Sequence, residues 1–114
     1  MLHPLSTAQA LNLWHDVGLA QVRGQEPDLS QRQMTILLTI YLQPPPHTVR
    51  GLAAKLGVSK PVITRALDAM GKVSLVTRKR DDKDMRNVLV QRTVKGALYL
   101  ERFADLISAT SKEL

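Results

Sequence analysis

The sequence contains no cysteine. That one absence removes disulfides, thiolate metal sites, thiol nucleophiles and cysteine-based redox sensing. No apolar stretch approaches the ~18 residues that a bilayer span requires. The longest, Ile36 to Leu42, is short and is interrupted by Thr39. Ala8-Gln9-Ala10 has the small-residue look of a signal-peptidase site, yet no basic segment or apolar core precedes it. A cytoplasmic protein with no membrane partner is the expectation. His3, His15 and His47 share no ligand-like spacing. Nucleophile elbows, phosphate loops and paired carboxylates are missing as well. No metal, no cofactor and no enzymatic activity are therefore expected.

Internal repeats and low-complexity linkers are also lacking, and 114 residues suit a single domain, 1–114. What is present in quantity is positive charge. Sixteen basic residues stand against ten acidic ones, a net +6. The excess is uneven: Arg50 to Lys95 holds twelve basic residues and four acids, a net +8, and the remainder is −2. A basic middle between slightly acidic ends suits a polyanion-binding unit on a differently employed frame. A solvated surface that only keeps the protein soluble is the alternative.

Helical periodicity runs from residue 5 to 23, with Leu11, Trp14 and Val17 on one side and Ala10, Leu13 and Ala20 on another. A helix apolar on more than one side has two apolar neighbours, and the second can be another subunit. Gly24 and Pro27 end it. Ser30 and Gln33 fit a capping box that opens a helix to Leu42, which Pro44-Pro45-Pro46 terminates. Thr48 can cap a short helix to Leu56, with Gly57 supplying a left-handed turn. Ser59 is placed to cap the next helix, in whose first turn Pro61 is tolerated. Two strands, Leu75 to Arg80 and Asn87 to Arg92, flank the polar tip Asp81-Asp82-Lys83-Asp84. A last helix runs from Val94 to about Ser111. The predicted class is mainly α with a small β-hairpin (α+β).

Leu52 to Leu67 reads as a helix-turn-helix. Ala53 is small where the second helix crosses, Gly57 turns the chain, and Leu52, Leu56, Val58, Ile63 and Ala66 fill the wedge. The outward face of the second helix is then Ser59, Lys60, Pro61, Thr64, Arg65 and Asp68. Such a face can enter a major groove, where an arginine offers paired donors to guanine. Thr48 and Arg50, ahead of it, are placed for backbone contacts. A helical hairpin used only for packing is the bland alternative. The hairpin beyond carries Arg78, Lys79, Arg80, Lys83 and Arg86, a wing able to follow the phosphates and offer one arginine to a minor groove. Asp84 is expected to pair with a wing arginine and brace the tip.

These motifs resemble the MarR-type winged-helix transcription regulators. The strongest match is Asp84-Met85-Arg86 followed by Thr93-Val94-Lys95-Gly96, similar to that family's D-x-R and T-x-x-G wing-to-helix signature. Ser59 to Leu67 resembles its recognition helix and Leu75-Val76-Thr77-Arg78 the opening of its wing. The resemblance covers about residues 30–100 and implies a winged helix-turn-helix core over 30–96. It implies that Arg86 is the minor-groove arginine, Asp84 its brace, and Lys60, Thr64 and Arg65 groove-facing, with Thr93 capping the last helix. Ser74 stands where the family usually has glycine. The family usually dimerises through a longer helical arm than the single last helix here, with effectors often bound near the junction.

Dimerisation helices are accordingly expected at 5–29 and 97–114, with Leu11, Trp14, Leu98, Phe103 and Leu106 at the interface. By the same resemblance a small-molecule effector is a possible partner, with no residue assigned to it. The function so implied is a homodimeric regulator, a repressor sooner than an activator, that binds a pseudo-palindromic site in double-stranded DNA and is nucleoid-associated. Two other functions use the same surface: a winged-helix module that binds a protein, as an adaptor or anti-repressor, and a non-specific architectural DNA binder.

Overall fold

The computed structural model describes residues 3–114. In chain order the elements are α1 (Thr7–Arg23), α2 (Gln31–Leu42), α3 (Val49–Leu56), α4 (Lys60–Lys72), β1 (Val76–Arg80), β2 (Val88–Arg92) and α5 (Val94–Ser111). They form two compact units, divided between Asp28 and Leu29 and again between Tyr99 and Leu100. Among the described residues, five helices and one antiparallel hairpin give an α+β class with a winged-helix arrangement.

Local chemistry sets most boundaries. α1 and α2 both open on reciprocal capping boxes. Ser30 Oγ accepts from the Gln33 amide at 3.1 Å while the Gln33 side chain accepts from the Ser30 amide at 2.8 Å. Ser6 and Gln9 repeat the pattern at 3.1 and 3.0 Å. Thr48 caps α3 through the Gly51 amide at 2.9 Å. Gly57 then takes φ 68°, a left-handed conformation that costs glycine nothing.

Ser59 departs from its expected role. It occupies the N-cap position of α4, but its side chain makes no capping bond. Pro61 has no amide to offer at the second helical position, and the Val62 amide already donates to the Ser59 carbonyl at 3.2 Å. The hydroxyl is left over.

The middle unit, Leu29–Tyr99, holds the main core. Ile36, Leu37 and Ile40 of α2 meet Ile63, Leu67 and Met70 of α4, with Leu75 and Val76 from the root of the hairpin, all essentially inaccessible. β1 and β2 pair from Val76 opposite Arg92 to Arg80 opposite Val88. A third segment widens the hairpin's base: the Val90 amide donates to the His47 carbonyl at 2.8 Å, and Thr48 bridges to Leu89.

A polar knot ties α2, the hairpin and the start of α5 together. The Tyr41 hydroxyl donates to the Thr93 carbonyl at 2.8 Å and accepts from the Thr93 amide at 3.1 Å. Thr93 Oγ1 caps α5 through the Gly96 amide at 2.9 Å and donates to the Ser74 carbonyl at 2.8 Å. A Cβ on Gly96 would lie 2.4 Å from both the Tyr41 hydroxyl and the Leu75 carbonyl, so the site tolerates only glycine. Arg92 donates to the Ile40 and Tyr41 carbonyls at 3.0 and 3.2 Å and stacks over the Tyr41 ring. Although it lies in the basic segment, it serves the C-terminus of α2.

The other unit comprises residues up to Asp28 and from Leu100 onward. Within α1 only Val17 is buried, while Leu11 and Trp14 are about two-thirds exposed. Phe103 and Leu106 are half-buried, and Arg102 pairs with Glu26. No helix among the described residues is long and apolar enough to cross a membrane.

Candidate nucleic-acid interface

α4 is amphipathic in the sense a reading helix needs. Ile63, Ala66, Leu67 and Met70 are buried on one face. Ser59, Lys60, Pro61, Arg65 and Asp68 are exposed on the other, and Thr64 is half-buried at its edge. Helical spacing carries both sets, because positions three and four apart share a face.

The wing approaches this face along one side. Arg50 of α3, Lys60 and Thr64 of α4, and Arg78, Arg86 and Asn87 of the hairpin line a cleft of about 220 Å³, floored by Val49 and Val88. Four cations from three elements around one small cleft concentrate positive potential where a backbone phosphate could sit. No carboxylate lines the cleft.

Two acids organise its cations. Asp84 accepts from Arg86 Nε at 3.0 Å and Nη2 at 3.1 Å, and from the Arg86 amide at 3.1 Å. This paired arrangement holds the Asp84 carboxyl below the usual carboxylate range, with Arg50 adding a smaller pull in the same direction. The same pair raises the Arg86 guanidinium further. Arg86 remains largely exposed. A solvated pair of this kind adds little stability but fixes direction.

Asp68, on the same exposed face of α4, accepts from Arg78 Nη2 at 2.7 Å. That contact links the outer face of α4 to β1 and engages both side chains. Arg80 turns back to the Met85 carbonyl at 3.1 Å. Lys60, Arg65, Lys79 and Lys83 form no ion pair among the described residues and stay open to solvent.

A second groove, of about 610 Å³, runs along α2 and α3 and is lined by Gln31, Arg32, Thr35, Lys55 and Val58. Arg32 lies outside the basic segment, so a count of charge along the chain does not bring it to Lys55. Only the packing of α2 on the helix-turn-helix does. No group of three or more metal-ligating side chains occurs among the described residues.

The MarR family model matches residues 29–88, just over half of the chain. An organic hydroperoxide resistance transcriptional regulator of Bacillus subtilis (strain 168) is 36% identical over 59 residues, 52% of this chain and 40% of that protein. The chain thus matches less than half the length of that curated relative. Among solved structures, the transcriptional regulator BldR of Sulfolobus solfataricus superposes with a TM-score of 0.67 at 27% identity, covering 92% of this chain and 71% of that one. A DNA complex of Staphylococcus aureus MepR gives 0.69 at 19% identity, covering 93% and 78%. The fold and the matched segment are those of transcriptional regulators rather than enzymes. With the family match laid over α2, the helix-turn-helix and the hairpin described above, the chain belongs to the MarR family.

Proposed function

We propose that this chain is a sequence-specific duplex-DNA-binding transcriptional regulator, acting as a repressor in the cytoplasm at the nucleoid. The observation that carries the reading is the open polar face of α4 beside a cleft lined by Arg50, Lys60, Arg78 and Arg86. A DNA complex of a protein with the same fold supports it.

In this mechanism α4 enters the major groove. Lys60, Thr64 and Arg65 face base edges, and the free Ser59 hydroxyl is at hand for a base or a phosphate. The cleft takes a phosphate, Thr48 and Arg50 hold the backbone ahead of the groove, and the wing follows the flank. Arg86 is the cation for the minor groove, with Lys79, Arg80 and Lys83 along it. Asp68 acts by holding Arg78. Residues 30–96 form the DNA-binding core, and the helices at 5–29 and 97–114 form a homodimer through Leu11, Trp14, Leu98, Phe103 and Leu106. Two copies then read a pseudo-palindrome whose half-sites lie about one helical turn apart.

Selection of random duplexes by the purified protein at physiological salt tests this, with Arg65→Ala run in parallel. An enriched inverted repeat is expected, with the variant losing about 1–3 kcal/mol and blurring one base position. Retention without enrichment would mean architectural binding. No retention would transfer the surface to a protein partner.

A further inference from the structure

Positive charge on the middle unit is answered in one region and unanswered in another. Asp68 and Asp84 pair with Arg78 and Arg86, and the other acids of the basic segment, Asp81 and Asp82, also lie on the wing. From Leu29 to Leu67 there is no acidic residue at all, whereas Arg32, Arg50, Lys55, Lys60 and Arg65 fall there. None of these five forms an ion pair among the described residues. Arg50, Lys60 and Arg65 belong to the wing cleft or to the outward face of α4. Arg32 and Lys55 belong to neither: they line the second groove, one from α2 and one from α3.

The groove offers donors. Thr35 Oγ1 donates to the Gln31 carbonyl and Thr39 Oγ1 to the Thr35 carbonyl, both at 2.8 Å, so these hydroxyl protons turn back into α2. Ser30 Oγ accepts from the Gln33 amide and keeps its own proton to give. Arg32 and Lys55 are exposed and carry donors only. No carboxylate is among the lining side chains. The group that suits such a lining accepts hydrogen bonds, donates none and is negative, which describes a phosphodiester.

We infer that Arg32 and Lys55 form a second seat for the DNA backbone, at the end of α3 opposite the wing cleft. This rests on the DNA-binding reading above. Val49 and Arg50, at the start of α3, line the wing cleft, and Lys55 and Leu56, at its close, line the groove. Eight residues make α3 about 12 Å long, close to the ~12 Å width of a B-form major groove. Val58 of the turn also lines the groove, and the chain passes from it into α4. The groove is therefore continuous with the face proposed to read bases. An acidic protein segment is the weaker occupant, because its backbone brings N–H donors that no carboxylate of the lining receives. The two seats hold the backbone on either side of the groove that α4 enters.

The test uses the full chain and the duplex it selects, with single phosphates replaced in turn by neutral methylphosphonates. Wild type should lose affinity at two separate sets of phosphates. Arg32→Gln and Lys55→Gln should each lower the salt slope by about one and weaken binding on the order of fivefold, alike on every sequence. Both should become indifferent to one shared set of methylphosphonates, distinct from the set that Arg50→Gln silences. Arg32→Lys should keep the slope, because it keeps the charge. Lys112→Gln removes one charge from the other unit and should leave slope and phosphate profile unchanged. Arg32 and Lys55 are exposed, so melting temperatures should hold, which separates a lost contact from a lost fold. If both variants keep the wild-type slope and profile, the second seat is overturned while DNA binding stands. If affinity falls but the profile does not change, the two cations act only through their general field, and the seat is overturned as well. If wild type retains no duplex at all, this inference and the reading beneath it fall together, and the groove passes to an acidic protein segment.

Discussion

α4 and α1 divide their surfaces in opposite ways. α4 closes its apolar face completely, burying Ile63, Ala66, Leu67 and Met70, and turns lysine, threonine and arginine outward. α1 buries Val17 alone and leaves Leu11, Trp14 and Val22, which recur on one side of the helix, about two-thirds exposed. An open polar face is finished as far as folding goes and is available for a ligand. An open apolar face is unfinished, and its cost in water is relieved only when another apolar surface covers it. In the proposed function the two helices therefore differ in partner: a polyanion for α4 and a second copy for α1.

The largest effect should come from breaking the closed face. Ile63 has no exposed surface. Ile63→Ala is expected to cost about 2–5 kcal/mol through lost transfer energy and the cavity left behind. Chemical denaturation followed by circular dichroism measures it. A loss well under this range would mean that α4 is held mainly by its polar contacts.

The open face should fail differently. Trp14→Glu removes nothing from the core, so thermal stability of the separated chain should barely move. In sedimentation the variant should run as a monomer, against the dimer proposed for wild type. Affinity for an inverted repeat should fall on the order of a hundredfold, because the second half-site no longer binds intramolecularly. A variant that stays dimeric would place the interface elsewhere than on Leu11 and Trp14.

The same contrast separates the root of the wing from its tip, and it explains what the sequence could reveal. Caps and turns depend on neighbours three or four residues apart, so Ser30 with Gln33, Thr48 and Gly57 announce their elements directly. Ser6 with Gln9 carried the same S-x-x-Q signal and could have been read as such. Ser59 holds the N-cap position without a side-chain bond, because Pro61 has no amide and the Val62 amide, the counterpart of the donors at the other caps, goes to the Ser59 carbonyl. At the tip, Asp84 and Arg86 are two residues apart, and their pairing was legible. At the root, Tyr41 meets Thr93 and Arg92 meets Ile40 across more than fifty residues. No local pattern announces such contacts. Helical spacing puts Asp68 on the outward face of α4, where it lies, but not its ion pair with Arg78, ten residues on, which forms only once β1 is packed.

The root also holds a correctable flaw. Ser74 adopts φ 62°, where a side chain is strained, and its carbonyl is held by Thr93. Ser74→Gly should keep that bond and relieve the strain. Part of the gain is cancelled by the greater freedom of glycine in the unfolded chain. A net stabilisation of about 0.5–1 kcal/mol is expected in denaturant melts. Destabilisation would show that the serine is held by more than its backbone.

The tip should give the smallest effect, and one that depends on pH. Arg86 lowers the Asp84 carboxyl below its unfolded value, so the folded state binds the carboxylate form preferentially. The contribution of the pair is then fully present above the unfolded pKa. It declines as pH falls through the lowered, folded one. Carbon-13 titration of the Asp84 carboxyl should place its midpoint below the ordinary range, and Arg86→Ala should bring it back up. Both groups lie at the surface, so salt should weaken the shift as it screens the pair. A midpoint already ordinary in wild type would mean that Asp84 leaves Arg86 unbraced in solution. The wing arginine would then reach DNA as a freely moving cation, and ordering it would cost affinity that the braced tip avoids.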